Sequence, residues 1–121
     1  MKALVLEERL LLTEMRISSG SRFLDLKRVA VDTSAEKTIV SAANAKALGM
    51  LAEEDVTDQG GVTKTCSSIS VGPLKIKDFP VDIRELSEAG KLDGVLGLDF
   101  LKRVGAKINL DSMTLSGSRV I

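Results

Sequence analysis

The chain has 121 residues, 44% of them hydrophobic and 28% charged, which is enough for one domain with a core of its own. Its 17 basic and 17 acidic residues cancel, so no net field draws it to nucleic acid or an anionic membrane, and with three Phe and no Trp or Tyr it lacks stacking platforms for single-stranded nucleic acid. With no histidine and one cysteine, it excludes Ser-His-Asp and Cys-His catalysis, His-containing zinc sites and thiolate clusters; carboxylates and lysines remain for acid–base chemistry.

The first residues, Met1 to Leu6, reach Glu7, Glu8 and Arg9 too soon for a secretory signal, and no apolar run approaches membrane-spanning length. Cys66 has no intrachain partner. The expectation is a single cytoplasmic domain over residues 1–121, with no metal and no cofactor. Two apolar runs, Ala3–Leu6 and Leu10–Leu12, and an alternation through Met15 and Ile17 predict strands that turn at Ser18-Ser19-Gly20-Ser21. Phe23, Leu24 and Leu26 lead to Val29–Val31, so two or three antiparallel strands precede Asp32.

Val29 to Ser41 is the stretch around which the rest is organised. An apolar strand ends on Asp32; Thr33, Ser34 and Ala35 follow, and a second β-branched run spans Thr38 to Val40. The pattern is strand, tight loop, strand, with a carboxylate at the loop, where burial by the flanking strands makes its ionisation adjustable. Ser41 suits a helix N-cap, Ala42 to Leu48 an alanine-rich helix and Gly49 its left-handed stop. Glu53-Glu54-Asp55 reads as an exposed acidic link and Asp58-Gln59-Gly60-Gly61 as a loop. Alternation resumes from Val62 and turns at Gly72-Pro73, predicting a hairpin with one buried face and Lys75 and Lys77 pointing out; Pro80 suits an edge or a bulge. Glu85 to Gly90 is a polar turn or short helix. In Asp93 to Leu101 a Val95–Leu96 pair sits between glycines, and Asp99 suits the cap of a short helix holding Phe100, Leu101 and Val104. Strands at Ala106–Leu110 and Met113–Leu115 close the chain around Asp111-Ser112. Many short strands with two short helices predict a small, mostly antiparallel β barrel or sandwich.

The ordered set of Val31-Asp32-Thr33-Ser34-Ala35, a Gly-Gly loop in a β region, and Asp93 to Leu101 resembles the retropepsin-like aspartic protease family in its short bacterial form. Thr38-Ile39-Val40-Ser41 and the helix ending Leu48-Gly49 extend the resemblance over nearly the whole chain beyond the first strand. It implies a small closed antiparallel β barrel. It also implies that Asp32, Thr33 and Ser34 form the catalytic loop, with Thr33 bracing paired loops. Ala35 and Glu36, and a flap containing Gln59, Gly60, Gly61 and Val62 with its tip near Gly60 and Gly61, would hold an extended peptide. One loop copy is present where two-lobed relatives carry two, so an enzyme of this kind needs a second copy of itself, with one Asp32 from each. Ser34 stands where the family usually has Gly, crowding the neighbouring loop or the peptide. A dimeric β module that binds peptide or a protein partner without cleaving it is therefore the alternative.

The same residues also have plainer roles. Asp32 suits an Asx-turn between strands, Gly60-Gly61 an ordinary hairpin loop, and Cys66 a small buried side chain.

Overall fold

The computed structural model describes residues 1–52, 61–86 and 91–118. In chain order these form β1 (Lys2–Ala3), β2 (Val5–Glu7), β3 (Leu10–Ser19), β4 (Arg22–Val31), β5 (Ile39–Ser41), α1 (Ala42–Ala47), β6 (Val62–Val71), β7 (Leu74–Arg84), β8 (Gly94–Leu96), α2 (Leu98–Arg103), β9 (Ala106–Asn109) and β10 (Thr114–Gly117). The expected barrel is present: β3, β4, β8, β5, β7 and β6 follow one another around a ring that closes through the β3–β6 pairing. Both hairpins are antiparallel, as expected, but β8 runs parallel to β4, and β5 parallel to β7.

Closure buries the inward-facing side chains of these strands in one core, including Met15, Ile17, Leu26, Val29, Ile69, Val71, Ile76, Val81 and Leu96. Phe100 and Val104 of the α2 region extend that core. The Phe100 ring meets Phe79 of β7 edge to face, with centroids 6.0 Å apart. Among the described residues no helix is long and apolar enough to cross a membrane.

The N-terminal apolar run divides in two. Leu4 is buried and its N–H donates to the Met113 carbonyl, so β1 leaves the barrel to join β10 and β9 in a small second sheet, while β2 stays on β3. Four strands therefore precede Asp32, where two or three were expected. The β3–β4 register shifts between Thr13 and Met15, leaving β4 an extra residue. The N–H groups of Lys27 and Arg28 at that bulge both donate to Asp93 Oδ2, at 3.2 and 3.1 Å. Asn44 of α1 donates to Asp93 Oδ1 at 3.2 Å, so one carboxylate ties the bulge and the helix to the start of β8.

Helix α1 has the expected ends. Ser41 Oγ accepts from the Asn44 N–H and its side-chain amide. Gly49, at φ +74°, donates to Lys46, and Met50 donates to Ala45, which is the Schellman closure. Pro80 is paired with Thr65 inside β7. Two residues on, the Asp82 N–H points to the β5 side and donates to Thr38; the missing Pro80 N–H faces the same side, beyond the end of β5.

The β6–β7 hairpin departs from a single alternation. Val62, Lys64 and Cys66 face inward in the first half of β6 and Ile69 and Val71 in the second; β7 switches likewise between Ile76 and Phe79. The register is kept across the switch, with Cys66 opposite Phe79 and Ser68 opposite Lys77, while Ser67 and Asp78 between them do not pair. Asp78 takes φ +52° there. Both strands change face together, and Lys75 and Lys77 point out as expected. The acidic link at Glu53-Glu54-Asp55 lies outside the described residues.

Ionic clusters line the outer surface. Glu14 bridges Lys2 and Lys27 at 3.1 and 3.2 Å, Arg16 grips Asp25 at 2.7 and 3.0 Å, and Arg28 grips Glu7 at 2.8 and 3.2 Å. Hydrogen bonds from Arg28 to Glu7, from Lys2 and Lys27 to Glu14, and from Arg16 to Asp25 lower these carboxyls from ordinary values of 4.5 for Glu and 3.8 for Asp. A carboxyl lowered by folding contributes stability above its unfolded value and loses it as pH falls through the folded one. Thermal unfolding followed by circular dichroism is expected to be flat from neutrality to about pH 5 and to decline below about pH 4. The Glu7→Gln/Glu14→Gln/Asp25→Asn variant should show a shallower decline; the difference is small because every pair is exposed.

Candidate active site

The strand that enters the Asp32 loop and the strand that leaves it are not neighbours. β8 lies between β4 and β5, so residues 32 to 38 must arch over its end. Such an arch leaves backbone groups without strand partners, and each needs one elsewhere. The end of β8 and the start of α2 supply them. The Asp32 N–H donates to Leu96 at 3.0 Å, the Leu98 N–H to Ala35 at 2.8 Å and the Asp99 N–H to Glu36 at 3.2 Å.

Gly97 sits beneath the arch. A Cβ there would lie 2.5 Å from the Lys37 carbonyl oxygen and 3.0 Å from that of Ala35. Only glycine allows the two backbones this close. The glycine on the other side of Val95–Leu96 also lets backbones approach closely: at Gly94 a Cβ would lie 2.7 Å from the Ile39 carbonyl oxygen.

A polar cluster, buried at Thr38 and Gly97 and half-buried at Asp99, holds the far side of the arch. Thr38 is fully buried; its hydroxyl donates to Asp99 Oδ1 at 2.7 Å and accepts from the Gly97 N–H at 3.1 Å. Its N–H donates to Asp99 Oδ2 at 3.1 Å. Asp99 also receives the Phe100 N–H at 2.8 Å. Gly97, not Asp99, occupies the helix cap, so the capping role expected of Asp99 is corrected. Its carboxylate faces the arch because the Thr38 donors are there. Neither Thr38 nor the Asp99 carboxylate was singled out for this role from sequence. The available signal was a hydroxyl residue opening the second β-branched run and an acid just after the Gly-rich segment.

At the front of the arch Asp32 is half-buried and Thr33 and Ser34 are exposed. The Ser34 N–H and hydroxyl both donate to Asp32 Oδ1, at 2.8 and 2.5 Å, and the Ala35 N–H closes the turn on the Asp32 carbonyl at 3.2 Å. These bonds form an Asx-turn with an added serine bond. Among the described residues no hydrogen bond reaches Asp32 Oδ2 or the Thr33 hydroxyl. Ala35 is half-buried and Glu36 exposed on the same arch.

The expected flap is met only at its edge. Gln59 and Gly60 lie outside the described residues. Gly61 packs against the Ile83 backbone and Arg84, and Val62 opens β6 opposite Ile83, so β7 stands between Val62 and β5. Among the described residues no hydrogen bond joins Gly61 or Val62 to the Asp32 arch. Cys66 is fully buried and donates to the Phe79 carbonyl; burial pushes its thiol up, which leaves it a core side chain and not a nucleophile.

If the arch depends on these contacts, crowding or unsatisfying them costs stability. Gly97→Ala is expected to lose about 1–3 kcal/mol by overpacking. Thr38→Val, which strands the Gly97 N–H and removes a donor from Asp99, should lose about 1–3 kcal/mol, and Thr38→Ser much less. Urea unfolding measures all three.

Comparison with known proteins agrees with this geometry. Residues 27–103 match the family described as "gag-polyprotein putative aspartyl protease". Over 91 residues, 70% of this chain, the sequence is 35% identical to the UBA domain-containing protein Mud1 of Schizosaccharomyces pombe, of which it spans 27%. The fold is similar to the retroviral protease-like domain of Ddi1 from Leishmania major, with a TM-score of 0.61 at 19% identity, covering 90% of this chain and 89% of that one. It is also similar to a retropepsin-like aspartic protease from Rickettsia conorii, with a TM-score of 0.67 at 17% identity, covering 92% and 84%. The arch on Asp32, the glycine-flanked strand beneath it and the match across both place the chain in the gag-polyprotein aspartyl protease family, with the retropepsin-like fold.

Proposed function

We propose that the protein is an aspartic endopeptidase completed by pairing of two copies, each contributing Asp32. The observation that carries this reading is the carboxylate itself. It stands on a loop braced by β8 and α2, with Oδ1 held by two donors and no donor on Oδ2 among the described residues. A two-fold axis beside the arch brings the two carboxylates together.

Two carboxylates in contact cannot both ionise cheaply, so the pair shares one proton, as in aspartic proteases generally. The ionised carboxylate takes a proton from a bound water, which attacks the scissile carbonyl while the protonated carboxyl donates to the carbonyl oxygen. The resulting tetrahedral diol collapses as a proton passes to the leaving nitrogen. The pH dependence of the reaction belongs to the pair. Thr33, exposed beside Asp32, would brace the loops across the axis. Ala35 and Glu36 would line an extended peptide paired with backbone, as an added strand, and Gln59, Gly60, Gly61 and Val62 would cover it.

One observation favours a second reading, a paired β module that binds peptide or a protein partner without cleaving it. The Ser34 hydroxyl occupies Asp32 Oδ1 at 2.5 Å, where the family's usual glycine offers none.

Peptide-library cleavage at about pH 5, a pH at which the surface ion pairs keep their stabilising effect, separates the two. Wild type is expected to cleave and Asp32→Asn to lose at least a hundredfold; equal cleavage by both removes Asp32 from the chemistry. Ser34→Gly is expected to retain cleavage with an unchanged requirement for Asp32. A silent wild type that cleaves once Ser34 is Gly would favour the binding module.

A further inference from the structure

We infer that the outer face of strands β4, β3, β6 and β7 docks an acidic segment of a partner protein, received in a cleft between Lys2, Arg16 and Lys27 and along Lys75, Lys77 and Phe23. The surface stands apart from the Asp32 arch. Phe23 precedes Asp32 by nine residues of mostly extended chain, roughly 30 Å.

The registers lay this face out in rows. Asp25 lies opposite Arg16, Arg16 opposite Ser70 and Ser70 opposite Lys75. Phe23, Ser18, Ser68 and Lys77 form the next row through the same strands. Ile17, Ile69 and Ile76, which alternate with these residues, point into the core, so both rows point outward. Small serines on β3 and β6 make the middle of the face. Longer side chains stand on β4 and β7 to either side, three strand spacings or about 14 Å apart.

Beside the Arg16 row the face dips into a cleft of about 440 Å³, lined in part by Lys2, Glu14, Arg16, Asp25, Lys27 and Ser70. Its carboxylates are already held. Glu14 meets Lys2 through Oε1 and Lys27 through Oε2, and Asp25 takes Arg16 Nε on one oxygen and Nη2 on the other. An ammonium carries three N–H groups and a guanidinium five, so the cleft keeps spare donors, and its three cations outnumber its two acids. Lys75 and Lys77, exposed on β7, form no ion pair among the described residues. Asp78 follows Lys77 only where the hairpin changes face. What the surface lacks is acceptors with negative charge, and a carboxylate-rich chain supplies both.

The extent of the surface selects a chain. A small anion would fill the cleft and leave Lys75, Lys77 and Phe23 unused, and a bilayer would meet the rims and leave the cleft. Phe23 is 54% exposed, and the Arg16 guanidinium lies 4.3 Å from its ring centroid. That stack presents an apolar surface at one end of the basic strip, where an aromatic or aliphatic residue among the acids would rest. The whole chain is neutral, so the attraction is local to this face.

Fluorescence anisotropy with a fluorescein-labelled oligoglutamate peptide carrying one central phenylalanine tests the surface. Wild type is expected to bind at micromolar concentrations and to weaken at least tenfold between about 50 and 300 mM salt. Lys75→Glu/Lys77→Glu should weaken binding at least tenfold, and Lys27→Gln by a smaller factor. Phe23→Ser should weaken this peptide but not one of glutamate alone. Lys102→Glu/Arg103→Glu, the same charge change on α2, should bind as wild type does, and circular dichroism should show every variant folded. Absence of binding, or an equal loss in the α2 variant, overturns the surface. Phosphatidylserine vesicles that bind with the same dependence on Lys75 and Lys77, or inorganic phosphate that displaces the peptide at millimolar concentration, overturn a protein segment as its occupant.

Discussion

The site depends on the close approach of two backbones where the Asp32 loop crosses the end of β8. The approach is possible because Gly97 has no side chain, and it is held by Thr38 and Asp99, which satisfy one another and the Gly97 N–H in a cluster buried at Thr38 and Gly97. A polar cluster of this kind is favourable only when every member is satisfied. Here the hydroxyl donates and accepts, and the carboxylate receives three donors. The exposed front of the loop can therefore be small and polar, because its shape is set from behind.

The same arrangement explains the topology. A loop joining adjacent antiparallel strands would be a tight hairpin, with its backbone groups largely paired within it. Placing β8 between β4 and β5 opens the loop and gives it an underside to rest on. Asp93 anchors the start of β8 by capping the two N–H groups at the β4 bulge, and the N-terminus of α2 anchors the other end through Leu98 and Asp99. The acids at each end of this short segment thus do positional work, while Asp32 on the arch keeps one carboxylate oxygen without a donor among the described residues.

Much of this was legible in the residues. The alternation of Met15, Ile17, Ile69, Val71, Ile76, Val81 and Ile83 marked a small β barrel or sandwich, though not the change of face within β6 and β7, and Ser41 with Gly49 marked both ends of α1. The ordered loop, Gly-Gly and Asp93–Leu101 pieces pointed to the family. What stayed hidden was relational. Nothing local in Asp99 says that its carboxylate turns to Thr38 across 61 positions of sequence, since an acid at a helix start satisfies the capping pattern equally well. The division of the Ala3–Leu6 run was hidden too, because whether Leu4 sends β1 to another sheet depends on where the C-terminal strands lie. The parallel placement of β8 against β4 is likewise a property of the closed ring and not of three residues.

The synchronous face change of the β6–β7 hairpin has a further consequence, for how such chains tolerate changes in length over evolution. Cys66 and Ser68 keep their partners Phe79 and Lys77 because both strands step at the same level. An insertion or deletion of one residue near Ser67 alone would turn half of β6 inside out against an unaltered β7. Indels within this hairpin should therefore survive only as matched pairs, one in each strand, whereas changes at the Gly72-Pro73 tip escape that rule.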